Sequence, residues 1–272
     1  MFVLIFILIF LLGTIIGSFL NVVIYRFNTG KSIAKGRSIC LSCSHTLSWY
    51  ELIPIFSFLI QSGRCRSCAS SISHQYPVVE FITGLVFTLI AYHFLPILGF
   101  SQISYVILTS LLVFMFSILI VISVYDIRHK IIPDKLVYIF SFISFVSIFI
   151  NQTGIGSFFV KASYLDIVSG PLLALPFALL WLLSRGKWMG LGDAKLVLGI
   201  GWMLGLTKGL AAIILSFWIG AVVGILIMLL SHKKVGAKTE IPFAPFLIIS
   251  TLVVILYNID IFRLASLFNF NI

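Results

Sequence analysis

Long apolar runs recur along the whole chain and limit the kind of protein it can be. Of its 272 residues, 61% are hydrophobic and only 10% are charged, whereas about 25% of the residues in a typical soluble domain are charged. A run of about 20 apolar residues is long enough to cross the hydrocarbon core of a bilayer as a helix. The sequence therefore predicts a multi-pass membrane protein of the all-α class.

Eight windows are long enough, or nearly long enough, to span a membrane. They are residues 2–25, 77–96, 103–125, 136–151, 167–184, 194–207, 209–230 and 243–258. The sixth is short and polar at its start, so we expect it to be tilted or partly enclosed by other helices. Pro171 and Pro176 are expected to kink the fifth.

The basic residues are concentrated in alternate loops, on one predicted side of the membrane. These fifteen residues are Arg26, Lys31, Lys35, Arg37, Arg64, Arg66, Arg128, Lys130, Lys135, Arg185, Lys187, Lys195, Lys233, Lys234 and Lys238. Only Lys161, Lys208 and Arg263 fall on the other side. An excess of Lys and Arg marks cytoplasmic loops, so the odd-numbered loops are predicted in the cytoplasm and both termini outside.

The net charge of +10 does not by itself indicate a nucleic-acid partner. The basic residues are spread over several loops, and they form no recognisable nucleic-acid-binding motif. The partner that this composition predicts is the lipid bilayer.

The one long hydrophilic stretch, residues 26–76, carries all four cysteines as two CxxC pairs, Cys40/Cys43 and Cys65/Cys68. Two such pairs at this separation are typical of a tetrahedral zinc site with four thiolate ligands. Two disulfides or four unrelated thiols are the alternatives, and a cytoplasmic loop disfavours disulfides. Four thiolates leave no position for water, so the predicted zinc is structural and would stabilise a loop with little core of its own.

Two aspartates are the strongest candidates for chemistry in a chain with only eight acidic residues. Asp126 closes the third predicted span, and Asp193 follows two glycines at the start of the sixth, in Gly190–Leu196. An ionisable group at the edge of a bilayer is costly and indicates a functional site. Two carboxylates at one membrane face predict a pair that shares a proton and activates water for peptide hydrolysis.

Structural interpretations of the acidic residues remain open at this point. Asp193 could cap the helix that follows it, and Asp126 could pair with Arg128 or Lys130. Asp134, after Pro133, is expected to cap the fourth span. Alternatively, it supports Asp126.

Three further features are predicted along the chain. Residues 47–57, with Trp49 and Tyr50, are typical of a short amphipathic segment on the membrane surface. Glu80, one turn inside the second span, either orients a polar substrate or is a first-turn residue favoured by the helix dipole. Pro242 and Pro245 predict irregular backbone at membrane depth, suited to the floor of a cleft.

Several of these motifs, in this order, resemble one family. They are Gly17–Arg26, the two CxxC pairs, Tyr76–Glu80, Asp126 with Ile132–Asp134, Gly190–Lys195 and Ile241–Phe246. Together they look like the long, bifunctional form of the type IV prepilin peptidases, a Gly-x-Gly-Asp class of membrane aspartic proteases. The resemblance covers nearly the whole chain, with one departure at Ala244, where the family usually has glycine.

The resemblance implies an enzyme of the bacterial cytoplasmic (inner) membrane. It would remove the basic leader of type IV prepilins or pseudopilins at the cytoplasmic face and N-methylate the new terminus with S-adenosylmethionine. By analogy, Asp126 and Asp193 are catalytic, and the four cysteines hold zinc. Gly63, Arg64 and Glu80 are candidates for methyl transfer.

The same resemblance divides the chain into a methyltransferase-associated region, residues 1–96, and a peptidase domain, residues 97–272. Presenilin-like and preflagellin-type proteases share the aspartate pair, but they lack the four-cysteine loop. An ion-coupled transporter, the alternative from another class, would need midplane carboxylates and an internal repeat. These features are not evident in the sequence.

Overall fold

The computed structural model describes residues 2–150, 159–230 and 241–266, and its regular elements are helices. The helices are α1 (Phe2–Arg26), α2 (Phe56–Ile60), α3 (Gln75–His93), α4 (Leu95–Leu98), α5 (Gln102–His129), α6 (Asp134–Ser147), α7 (Tyr164–Ser184), α8 (Leu191–Leu230), α9 (Ala244–Tyr257) and α10 (Ile261–Ser266). A 3₁₀ turn spans Trp49–Leu52. Lys233, Lys234 and Lys238 of the last predicted cytoplasmic loop lie outside the described residues.

Five helices in the described part of the chain are long and apolar enough to cross a membrane, namely α1, α3, α5, α7 and α8. Two more, α6 and α9, have 14 residues each. These helices confirm an all-α, multi-pass membrane protein. The total of eight spans and the side of each loop stay predictions.

Helix α8 contains two of the predicted spans and is interrupted at Gly205, whose φ of 75° and ψ of −179° are not helical. A Cβ placed on Gly209 would lie 3.7 Å from the Cα of Gly201, although eight residues of straight helix separate two positions by about 12 Å. The chain therefore folds back at Gly205.

Two contacts beyond Gly205 show how far the second half of α8 returns. The Nζ of Lys208 donates to the side chain of Asn258, the residue that follows α9. Nine residues further on, the ring of Phe217 lies 5.0 Å from that of Phe243, which precedes α9. The second half of α8 thus runs alongside α9 from one end to the other.

The helices form two compact units, the first built from Met1–Gly99 with Tyr105–Val121 and the second from Phe100–Ser104 with Ile122–Ile272. In the first unit, α1 packs closely on α3 because small residues face each other. A Cβ on Gly13 would lie 2.7 Å from the Cα of Gly84.

In the second unit, small residues allow the same close packing between α7 and α8. A Cβ on Gly201 would lie 2.7 Å from the Cα of Gly170, and the hydroxyl of Ser169 donates to the carbonyl of Gly201 at 2.9 Å. Close backbone approach of this kind is how helices associate inside a bilayer, where burial of apolar side chains gives little driving force. Helix α7 continues through Pro171 and Pro176.

We predict that Gly205→Ala lowers the stability of the detergent-solubilised protein by about 1–3 kcal/mol, because only glycine readily adopts this backbone conformation. No atom lies within 4 Å of the position that the new Cβ would take, so the cost is conformational rather than steric. Thermal unfolding is the measurement.

Gly224→Ala on the same helix is the matched control. Its Cβ would make an ordinary 3.6 Å contact with Ile241, so this variant should unfold at the wild-type temperature or slightly higher. Equal stability of the two variants would contradict the reversal at Gly205.

Candidate active site and metal centre

The second unit brings the two predicted aspartates together. Asp126 lies in the last turn of α5 and Asp193 in the first turn of α8, and the two carboxylates are close enough to interact electrostatically. Asp126 is 5% exposed, whereas Asp193 is half-buried. Asp193 is therefore the more accessible member of the pair.

Asp126 is held by the first residue of a third helix. The backbone N–H of Ala244, where α9 begins, donates to the Oδ2 of Asp126 at 3.3 Å. The N–H groups of a helix N-terminus have no partner within the helix, so a carboxylate is a suitable acceptor there. Ala244 stands where the family that the sequence resembles usually has glycine. It is fully buried, so its methyl group is accommodated at this position.

Asp193 is the third residue of α8, and its carboxylate accepts hydrogen bonds from its own N–H and from that of Gly190. A side chain that reaches back from this position to the residue before the helix is half of a capping box. Asp193 therefore caps its helix and interacts with Asp126, so the two interpretations of this residue are compatible.

Gly192 allows the loop before α6 to approach the start of α8. A Cβ on Gly192 would lie 2.8 Å from the Cβ of Ile132, a distance that requires one segment to move. Gly190 has more room, since its nearest neighbour would be the Asp193 carboxylate at 3.5 Å. Of the two glycines in the motif, Gly192 is the one that packing requires.

Asp134 does not cap α6 as predicted. Pro133 occupies the capping position, and Asp134 is the first helical residue. The Asp134 carboxylate instead accepts from Lys195 Nζ at 2.7 Å, and the same ammonium group lies 5.2 Å from the centroid of the Tyr138 ring. This ion pair links the start of α6 to the start of α8, two residues beyond Asp193, which agrees with the alternative of a supporting role.

The four cysteines converge in the first unit. Their Sγ atoms all lie within 4.8 Å of one another, and those of Cys40 and Cys68 are 3.9 Å apart. Four sulfurs at ~2.3 Å from a zinc ion would be separated by roughly 3.8 Å. The cluster therefore fits a four-thiolate zinc site.

The two CxxC pairs have the same backbone geometry. Cys40 N–H donates to the carbonyl of His45, five residues on, and Cys65 N–H donates to that of Ser70. The residue after each second cysteine, Ser44 or Ala69, has a positive φ of 57° or 55°. Each pair thus forms an equivalent knuckle that directs two sulfurs toward the same point.

Hydrogen bonds favour the thiolate form of two of these thiols, Cys40 and Cys68, whereas burial and the neighbouring thiols raise the pKa of Cys43 to about 11. The backbone N–H groups of Cys43 and Ser42 lower the pKa of Cys40 to about 6. The Ser70 hydroxyl, 3.1 Å from the Sγ of Cys68, lowers the pKa of that thiol. Stabilised thiolates are the form in which cysteine binds metal.

The methyl-transfer candidates fall in two places. Gly63, with φ of 69°, precedes the second knuckle, and a Cβ there would lie 3.0 Å from the Phe58 ring. Arg64 is exposed next to it. Glu80 is 6% exposed in α3, and its Oε2 accepts the N–H of Ile55 at 2.7 Å. Gly63 and Glu80 therefore both contact the segment between the knuckles, and Glu80 also bonds to Ser18 of α1.

Two contributions to the site were not predicted from the sequence. The Ala244 N–H is a backbone group, which residue identity does not reveal. Lys195 did carry a signal, because a lysine in the first turn of an apolar helix opposes the helix dipole and needs an anionic partner. Asp134 is that partner.

The described part of the chain has helices long enough to cross a membrane, two interacting carboxylates at helix ends and a cluster of four cysteines. These features define the class, a multi-pass membrane protein with two candidate sites. Residues 11–94 match the family described as bacterial peptidase A24 N-terminal domain, and residues 113–225 match the type IV leader peptidase family. No solved structure matches the chain.

Curated relatives match over most of the chain. A prepilin leader peptidase/N-methyltransferase of Bacillus subtilis is 32% identical over 245 residues, which is 90% of this chain and 91% of that protein. One of Stutzerimonas stutzeri is 31% identical over 267 residues, covering 90% and 88%. One of Myxococcus xanthus is 34% identical over 230 residues, covering 83% of this chain and 63% of that protein. The chain belongs to the type IV leader peptidase family, which is a family of enzymes.

We predict that Gly192→Ala destabilises the protein by about 1–3 kcal/mol, because the added methyl group overpacks the contact with Ile132. Gly190→Ala is the matched control, with an ordinary contact distance, and should leave the unfolding temperature within error of wild type. Thermal unfolding in detergent compares the two. A larger loss for Gly190→Ala would contradict this packing.

Proposed function

We propose that this protein is a membrane aspartic endopeptidase that removes the basic leader of type IV prepilins or pseudopilins and then N-methylates the new terminus. The interaction between Asp126 and Asp193 at the ends of two helices is the observation that carries the peptidase proposal. The names of the relatives support both activities.

The proposed hydrolysis uses the two carboxylates with one proton between them. The ionised carboxylate takes a proton from water, and the oxygen of that water attacks the scissile carbonyl while the protonated carboxylate donates to the carbonyl oxygen. Collapse of the intermediate breaks the C–N bond, and a carboxyl group protonates the departing amine. The bond from the Ala244 N–H holds Asp126 in place during these steps.

The reaction is proposed to take place at the cytoplasmic face of the bacterial inner membrane. The excess of basic residues in the odd-numbered loops supports this orientation. The hydrophobic helix of the substrate would lie in the bilayer against the helices, which brings its cleavage site to the carboxylate pair.

Methyl transfer is assigned to residues 1–96 and cleavage to residues 97–272. S-adenosylmethionine would supply a sulfonium methyl group to the new terminal amine. Zinc, held by Cys40, Cys43, Cys65 and Cys68, would fix the loop that places this amine. The fit of the four sulfurs to a tetrahedral ion supports a structural metal here.

The alternative functions assign different roles to the aspartate pair and to the four-cysteine cluster of residues 26–76. A presenilin-like or preflagellin-type peptidase would use the aspartate pair without methyl transfer, and it would have no need of the four-cysteine cluster. An ion-coupled transporter would use the carboxylates as ion sites. Residues 11–94 match a bacterial peptidase domain, which favours the bifunctional enzyme over all three.

We predict that Asp126→Asn and Asp193→Asn each reduce leader cleavage about a hundredfold or more, the usual contribution of general acid–base catalysis. The asparagine oxygen can still accept the Ala244 N–H, so folding should be retained. The assay uses purified enzyme and a prepilin with a basic leader that ends in glycine before phenylalanine. Product masses report cleavage.

Asp166→Asn is the matched control for these variants. Asp166 also lies in the first turn of an apolar helix, α7, where its carboxylate accepts the N–H of Ser163. This variant should cleave at the wild-type rate. Full activity of Asp126→Asn or Asp193→Asn would reject the carboxylate pair as the catalytic group.

We predict that Cys65→Ser, which removes the one buried thiol of the cluster, releases zinc and abolishes methylation while most leader cleavage remains. The reason is that the cleavage pair lies in the other compact unit. Elemental analysis gives zinc per chain, and a methyl-sized mass gain with S-adenosylmethionine reports transfer.

Ser67→Ala, inside the same CxxC pair, is the control and should keep both zinc and methylation. Zinc retained in Cys65→Ser would contradict the four-thiolate site. Methylation by a zinc-free chain would contradict the role assigned to the metal.

A further inference from the structure

The segment between the two cysteine knuckles, residues 49–60, has two different faces. Phe58 points inward, where its ring contacts Gly63 and lies 5.5 Å from the His74 ring. The other face is apolar and exposed, with Trp49 77%, Phe56 58%, Leu59 64% and Ile60 72% accessible. We refer to residues 49–60 as the surface segment.

Glu80 fixes the position of the surface segment relative to the membrane-spanning helices. Its carboxylate, buried in the second turn of α3, accepts the N–H of Ile55 at 2.7 Å. Ile55 has a φ of 62°, which is a genuine outlier for a β-branched residue and persists only when its surroundings hold it. Through this bond the surface segment lies at the level where α3 begins.

The end of α1 lies at the same level as the start of α3. The side chain of Asn21, fully buried near the end of α1, donates to the carbonyl of Tyr76 at 3.2 Å, and Gln75 donates to the Asn21 oxygen at 3.2 Å. The end of α1 and the start of α3 therefore meet. Because both helices are long and apolar enough to cross the membrane, their junction marks the bilayer boundary.

Helix α3 also exposes apolar side chains on either side of Glu80 in the sequence. Val78 and Phe81 are each 51% exposed. An exposed apolar face at this height, with a tryptophan and a tyrosine at one end, has the composition of the residues that lie at bilayer interfaces. Exposure of this kind to water would be unfavourable, whereas lipid is already present at that level.

Basic side chains lie beside the surface segment. The guanidinium carbon of Arg66 lies 5.1 Å from the centre of the Tyr50 ring, and Arg64 and Arg66 are both exposed. Basic residues next to an inserted aromatic face match the negative headgroups of a membrane surface.

We propose that the surface segment inserts its apolar face into the headgroup–acyl boundary of the bilayer, with Arg64 and Arg66 contacting anionic lipid headgroups and Glu80 setting its depth. The surface segment then acts as a rigid membrane anchor for the four-cysteine module. This assignment is independent of the proposed peptidase and methyltransferase activities.

The first test is lipid quenching of Trp49 in the full-length protein. The protein is placed in nanodiscs with and without brominated acyl chains, and the emission of a Trp49→Phe variant is subtracted from that of the wild type. The difference emission belongs to Trp49. It should be blue-shifted and lose about half or more of its intensity in brominated lipid, as insertion by ~5–10 Å requires.

A water-like, unquenched Trp49 emission would overturn the proposal and leave this face free for a protein partner. Quenching should also be stronger when the nanodisc contains an anionic lipid than in zwitterionic lipid alone, and Arg64→Gln/Arg66→Gln should remove this difference. Equal quenching in both lipids for the wild type would overturn the headgroup contact.

The role of Glu80 is tested by hydrogen exchange of residues 49–60 in the same nanodiscs. Glu80→Ala leaves the Ile55 N–H without its acceptor, so exchange in the segment should rise, whereas Glu80→Gln keeps an acceptor oxygen and should restore protection. Unchanged exchange in Glu80→Ala would overturn Glu80 as the positioning residue. The thermal unfolding of each variant shows whether it has folded.

Discussion

A carboxylate removed from water must be given hydrogen-bond donors and a suitable electrostatic environment. In this protein that requirement is met at the ends of helices. Asp126 receives the N–H of Ala244 at the start of α9, and Asp193 receives N–H groups at the start of α8. Backbone donors that the helices cannot satisfy themselves are thus used where the carboxylates need them. The arrangement of α5, α8 and α9 around the pair follows from this requirement.

Close helix packing is what allows those helix ends to meet. Gly192 admits Ile132 near Asp193, and in the helices themselves Gly201 meets Gly170. In a bilayer the surrounding lipid is as apolar as leucine, so contact between backbones and between small residues determines which helices associate. The ion pair of Lys195 with Asp134 then joins two of the helix starts, and its partial exposure limits its contribution to about 1 kcal/mol or less.

The sequence predicted the apolar helices well because each window carries its own signal in length and hydropathy. It also predicted the convergence of the four cysteines, since CxxC spacing encodes a local geometry. It was wrong about Asp134, because the partner of that residue, Lys195, lies 61 positions away and no local pattern records it. The Ala244 N–H and the bond from Ile55 to Glu80 escaped prediction for a related reason. Both use backbone groups brought close by tertiary packing, and every residue except proline has such a group.

The reversal at Gly205 also determines where α9 can begin. A continuous helix of 40 residues would be about 60 Å long, twice the thickness of the hydrocarbon core, and its end would lie on the far side from Asp193. Because α8 folds back at Gly205, its second half returns alongside α9, and α9 begins beside Asp126. One glycine in mid-helix thus lets the chain return to the two carboxylates.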